Sequence, residues 1–110
     1  MIEVRVREDS RRRLSSFLAT GHAGWDEAGR DVVCAAVAAL LQGALVGLKE
    51  VARVEVRSTR RKGRLDVRWP APARDDAATQ AIVETAVRSI EHIARQYPQS
   101  VVVIRERDDG

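Results

Sequence analysis

Apolar and polar residues alternate from the first positions of the chain: Ile2, Val4 and Val6 stand between Glu3, Arg5 and Arg7. A period of two belongs to a strand with one buried face. Glu8-Asp9-Ser10 reads as a turn, and residues 14–19 as a returning strand. Residues 20–30 carry three glycines, Gly21, Gly24 and Gly29, and no periodicity, the composition of a loop. From Asp31 to Val46 the chain is apolar except for Gln42 and the small Gly43, which predicts a helix of about four turns. Asp31 suits the N-cap, and Gly47 suits the stop.

Alternation returns at Val54 and Val56, and again at Leu65, Val67 and Trp69. This predicts a hairpin with a basic tip, Thr59-Arg60-Arg61-Lys62-Gly63, ended by Pro70 and Pro72. Asp75 or Asp76 then caps a second helix with the stripe Ile82, Ala86, Ile90, Ile93 and Tyr97. Pro98 closes it, and residues 101–104 form a last strand before a charged tail. The order ββαββαβ, with one apolar face per strand, predicts an α+β two-layer sandwich: a mostly antiparallel sheet with both helices on one face. No linker or repeat divides it, so residues 1–110 form a single domain. The first helix is apolar nearly all round and must be covered nearly all round. The sheet covers one side, which predicts a homodimer with this helix near the interface.

Composition narrows the function. Of 110 residues, 45% are hydrophobic and 32% charged, a globular balance, and with only 4% aromatic residues the core must be aliphatic. A net charge of +3 and a pI near 9.7 are compatible with a ribosome-associated or nucleic-acid-binding role without requiring one. One cysteine excludes an internal disulfide, and two histidines with it do not make a typical zinc site. We therefore expect no metal and no cofactor. No uninterrupted run of about 18 apolar residues is present, so no membrane span is expected. The first residues read straight into a strand, with no signal peptide, and the expected compartment is cytoplasmic.

Cys34 is the only thiol. With Asp31 as cap it occupies the third helical position, where unbonded backbone N–H groups and the helix dipole favour a thiolate. His22 lies across the glycine-rich loop, within reach if that loop folds back. An imidazole that takes the thiol proton, a thiolate that attacks a carbonyl and N–H groups that hold the oxyanion make up nucleophilic catalysis. The same residues also fit a small buried hydrophobe and a solvated loop histidine.

Gly21-His22-Ala23 followed by Gly29-Arg30-Asp31-Val32-Val33-Cys34-Ala35-Ala36-Val37 closely resembles the signature of the bacterial ribosomal-processing cysteine protease family, Prp, also called YsxB-like. The family pattern is Gly-His-Ala, a short loop, then Gly-x-Asp-Ile-Val-Cys-Ala-Ala-Val-Ser. The resemblance extends over most of the chain, including the opening strand, the following hairpin and the element order. It implies a homodimeric cysteine endopeptidase. Such enzymes trim an N-terminal extension from the precursor of large-subunit ribosomal protein number twenty-seven, cutting after a hydrophobic segment that contains aromatic residues. Carried over, Cys34 is the nucleophile and His22 the general base and acid. Asp31 matches the family's acidic position, either as helix cap or as orienter of His22. Where the family often has Ser, four residues past the cysteine, this chain has Ala38.

Gly21, Gly24 and Gly29 suit a loop that closes over substrate, with Ala23, Trp25 and Asp26 as further substrate contacts. They equally suit turn geometry alone. His92 falls off the apolar stripe, on a solvated face, while Trp69 and Tyr97 are expected in the core. Arg57, Arg60, Arg61, Lys62 and Arg64 read as a solvated turn or as a dock for ribosomal RNA or an acidic partner. Two alternatives to the protease remain. One is a non-catalytic ribosome- or RNA-associated module using that basic tip; the other is a thiol redox sensor.

Overall fold

The computed structural model describes residues 1–21 and 32–107. The element order matches the expectation: β1 (Ile2–Glu8), β2 (Leu14–Thr20), α1 (Val32–Val46), β3 (Arg57–Arg61), β4 (Arg64–Arg68), α2 (Ala77–Gln96) and β5 (Val101–Arg107). The five strands make one sheet in the order β3-β4-β2-β1-β5. All neighbours pair antiparallel except β1 and β5, which run parallel.

Register explains why one face of this sheet is apolar. Val103, Val4, Ala19 and Leu65 are successive partners across β5, β1, β2 and β4. One step along, Val6, Phe17 and Val67 form the next row. Both helices lie over these rows. From α1 come Cys34, Val37, Leu41 and Ala44, and from α2 come Val83, Ala86, Val87 and Ile90, all buried. Trp69 completes the core: its ring tilts against Phe17 and its indole N–H donates to the Leu14 carbonyl at 2.7 Å. Each large aliphatic side chain buried here contributes about 1.5–3 kcal/mol. The opposite face carries charge, with Arg5 held by Glu3 and Glu106, and Arg7 by Glu106.

Several expectations need correction. Gly47 does not stop the helix; the chain continues as a π-helical turn over Gly47–Val51, with Leu48 buried. The glycine instead permits close packing, since a Cβ there would lie 3.0 Å from Ile82 Cγ2. Val54 and Val56 are half-buried but precede the strand, which begins at Arg57. The hairpin turn is Lys62-Gly63 alone, so Thr59, Arg60 and Arg61 belong to β3. The buried stripe of α2 runs through Val83 and Val87, leaving Ile82 and Ile93 half-buried and Tyr97 50% exposed. Of the two cap candidates Asp76 serves, accepting from the Ala78 N–H. Residues Val32–Val51 form a continuous helix of mean hydropathy 2.0, long and apolar enough by length and composition to cross a membrane. Gln42, Lys49 and Glu50 interrupt the apolar run without lowering that mean enough to matter. Burial of Cys34, Val37, Leu41, Ala44 and Leu48 against the sheet marks this segment as the core helix. His92 is exposed, as expected.

A polar knot secures the turn of the β1–β2 hairpin. Asp9 accepts from the Arg11 and Arg13 N–H groups and pairs with the Arg13 and Arg74 guanidinium groups. Burial pushes the Asp9 carboxyl up, but the two N–H donors and Arg13 more than offset this and hold it below the usual carboxylate range. Glu84, half-buried between Arg105 and Arg88, is likewise raised by burial and lowered further by those partners, with a net depression. A carboxylate depressed in the folded state stabilises fully above its unfolded pKa and ceases to as pH falls through the folded value. The urea midpoint should therefore hold steady from neutral pH to about pH 5 and fall below about pH 4. Asp9→Asn should lower the neutral midpoint and flatten that acid limb.

Candidate active site

The site grows from a convergence of strand ends. The start of β1, the end of β2, the end of β3 and the start of β4 all lie at one end of the sheet, because each neighbouring pair is antiparallel. The first two turns of α1 cross above them. Between the two layers lies a cleft of about 320 Å³. Ile2, Ala19 and Leu65 line it from the sheet, and Cys34, Ala38 and Leu41 from the helix. The hairpin tip supplies the remaining wall, with Arg60, Arg61 and Arg64.

Cys34 is the third residue of α1 and 2% exposed. In the first turn the backbone N–H groups lack intrahelical acceptors, and the helix dipole presents its positive end. Among the described residues, the first turn of α1 holds no acidic side chain. A thiol there meets two conditions of a nucleophile: a field that favours its anion, and a cavity into which a carbonyl can come. Ala38 lies one turn further along the same wall, at the position where the related pattern often has Ser.

Gly21 shapes the opposite rim. Its N–H donates to the Gly63 carbonyl at 3.0 Å, tying the end of β2 to the hairpin turn. Its φ is +88°, and a Cβ at this position would meet the Met1 carbonyl oxygen at 2.2 Å. Both the backbone conformation and the contact require glycine there. Of the sequence-predicted site residues, Gly21 and Cys34 are thus brought to one cleft. His22, Ala23, Gly24, Trp25, Asp26, Gly29 and Asp31 lie outside the described residues, as does the expected N-cap contact of Asp31. Among the described residues no group of three His, Cys, Asp or Glu side chains is placed to hold a metal.

Sequence reasoning missed that the basic tip belongs to this cleft. No local signal marks it: the register decides that Arg60 stands opposite Leu65, on the apolar face of its hairpin.

The sequence profile of the family described as Cysteine protease Prp matches residues 1–102. No curated protein matches the chain. Among solved structures, the chain is similar to an essential ribosomal processing protease Prp from S. aureus in complex with a covalently linked product peptide. That likeness has 21% identity and a TM-score of 0.86, covering 96% of this chain and 99% of the other. The same S. aureus protease with a substrate peptide matches at 21% identity and TM-score 0.82, with the same coverage. SMU.848 from Streptococcus mutans matches at 26% identity and TM-score 0.81, covering 98% of this chain and 96% of the other.

Gly21→Ala should cost about 1–3 kcal/mol of strain. In a domain of this size that lowers the melting temperature by on the order of 10 °C, readable by circular dichroism.

Proposed function

The chain belongs to the cysteine protease Prp family, and from that membership we propose that it is the endopeptidase that trims a ribosomal protein in its cell. The substrate is the precursor of large-subunit ribosomal protein number twenty-seven, cut once to remove its N-terminal extension. The protein acts as a homodimer in the cytoplasm. One observation carries the reading: the single cysteine stands in the first turn of α1 and opens onto an apolar cleft. The kinship with ribosomal processing proteases solved with substrate and with covalently linked product peptides supports the assignment of substrate class.

The chemistry follows from those residues. His22 takes the proton from the Cys34 thiol, and Sγ attacks the scissile carbonyl carbon. The resulting oxyanion is held by backbone N–H groups at the start of α1. Collapse expels the amine, which receives its proton from the His22 imidazolium, and leaves a thioester on Cys34. Water, deprotonated by His22, attacks the thioester; the acid product leaves and the thiol regains its proton. Asp31 either caps α1 or holds the imidazole in the tautomer that accepts from the thiol. Gly21, Ala23, Gly24, Trp25 and Gly29 are the residues assigned to substrate contact by the family resemblance and the glycine content of the loop. A bound peptide attached covalently, as in the staphylococcal relative, is the species that an acyl-enzyme route produces.

The homodimer is supported by the outer flank of α1. Val32, Val46 and Val51 are exposed, and a groove of about 460 Å³ runs between α1 and α2, lined by Leu40, Gly43, Ala81, Ile82 and their neighbours. Exposed apolar side chains beside an apolar groove suit a protein-protein contact. A Cβ at Gly43 would meet nothing within 4 Å. Gly43→Arg should therefore keep the fold and gain on the order of 1 kcal/mol of helix propensity. It should shift the protein from dimer to monomer in light scattering; a dimer that persists would move the interface elsewhere.

The decisive test of the activity is intact mass spectrometry of the extended precursor after incubation with the wild type, Cys34→Ala and His22→Ala. One N-terminal cut by the wild type is expected, with losses of at least about 10³-fold in both variants. Cys34→Ala should keep its melting temperature within a few degrees, since Ala suits a helix interior. Full-rate cutting by Cys34→Ala would remove the thiol from the mechanism.

A further inference from the structure

The cleft beside Cys34 has two chemically distinct parts. Its floor and roof are apolar, formed by Ile2, Ala19 and Leu65 below and by Ala38 and Leu41 above. One end is cationic, formed by Arg60, Arg61 and Arg64. Arg60 is the informative member. Successive partners across the sheet run Val103, Val4, Ala19, Leu65, Arg60, so the apolar row that floors the core ends in a guanidinium. Side chains of one such row share a face. A solvated turn would point its charge to the outer face, where Arg5 and Arg7 already sit among Glu3 and Glu106. Arg60 instead faces the helix layer, over the cleft, whereas Arg61 and Arg64 pair with each other in the row of Glu3 and Thr20, on the outer face. Among the described residues Arg60, Arg61 and Arg64 have no carboxylate partner, unlike Arg13, Arg88 and Arg105.

Resting on the protease reading above, we propose that Arg60 is a specificity-determining subsite for an acidic side chain of the peptide. That residue lies next to an apolar one, which fills the Ala19–Leu65–Leu41 part of the cleft. The planar guanidinium fork matches a carboxylate in two hydrogen bonds, which a neutral amide cannot reproduce. The partner is a peptide rather than a nucleic acid. A cavity of about 320 Å³ takes about two side chains, and no aromatic residue stands on the tip to stack a base.

Two measurements test this, one independent of proteolysis. The first is the rate of Cys34 alkylation by anionic iodoacetate relative to neutral iodoacetamide, followed by intact mass for the wild type and Arg60→Gln. The wild type should favour iodoacetate several-fold more than Arg60→Gln does, and 0.5 M salt should remove the difference by screening. The second is kcat/KM for peptides paired Glu against Gln at each position around the scissile bond. At one position Glu should win by about tenfold. Arg60→Gln should abolish that preference, and Arg60→Glu should transfer it to Lys at the same position. Arg60 is exposed, so both variants should fold, which their melting curves check. Glu-to-Gln ratios near unity everywhere, or ratios unmoved by Arg60→Gln, overturn the subsite while leaving the protease intact. If the wild type cuts no peptide, the protease reading falls, and an alkylation ratio unchanged in Arg60→Gln then overturns the subsite alone.

Discussion

The packing of α1 on the sheet is the constraint on which everything else turns. The helix is almost wholly apolar, and only the stripe Cys34, Val37, Leu41, Ala44 and Leu48 reaches full burial. That stripe fixes the rotation of the helix about its axis. With the rotation fixed, residue 34 points down into the layer interface at the helix start, where the strand ends leave room. A shift of one residue would turn the thiol away from the cleft by about 100° and expose part of the stripe. Core packing and the placement of the reactive group are one structural fact.

The sheet answers that constraint from below. Small residues on its helix-facing side near the cleft, chiefly Ala19, leave the volume that the cleft occupies. Gly21 follows β2 in a conformation open to glycine, and its hydrogen bond to Gly63 ties the hairpin tip to the end of β2. The tip thereby becomes a wall of the cleft, and its charge is felt beside the thiol. A cluster that composition alone assigns to solvent or to nucleic acid acquires a position in substrate recognition.

Away from the cleft, carboxylates pair with several of the arginines. Arg13 and Arg74 gather on Asp9, and Arg105 bridges Glu84 and Glu91, which hold its guanidinium protonated. The outer sheet face is laced the same way through Glu3 and Glu106. Such pairs on partly exposed surfaces contribute little each.

The amino-acid sequence determined the element order, the helix-facing side of most strands and the special status of Cys34. These rest on local physics: a period of two or of 3.6, and a signature of Gly, His, Asp and Cys in fixed register. What failed locally failed for tertiary reasons. Gly47 looks like a stop, yet the space it vacates admits Ile82, a contact that no local rule encodes. Val54 and Val56 alternate like a strand, but β4 pairs with β3 only from Arg57 onward. Tyr97 lies at helical spacing from Ile93, but the sheet ends before it can cover the ring. The cleft itself, and the presence of Arg60 in it, belong to tertiary structure alone. They depend on pairing between strands some forty residues apart, β2 with β4, which only the closed sheet brings together.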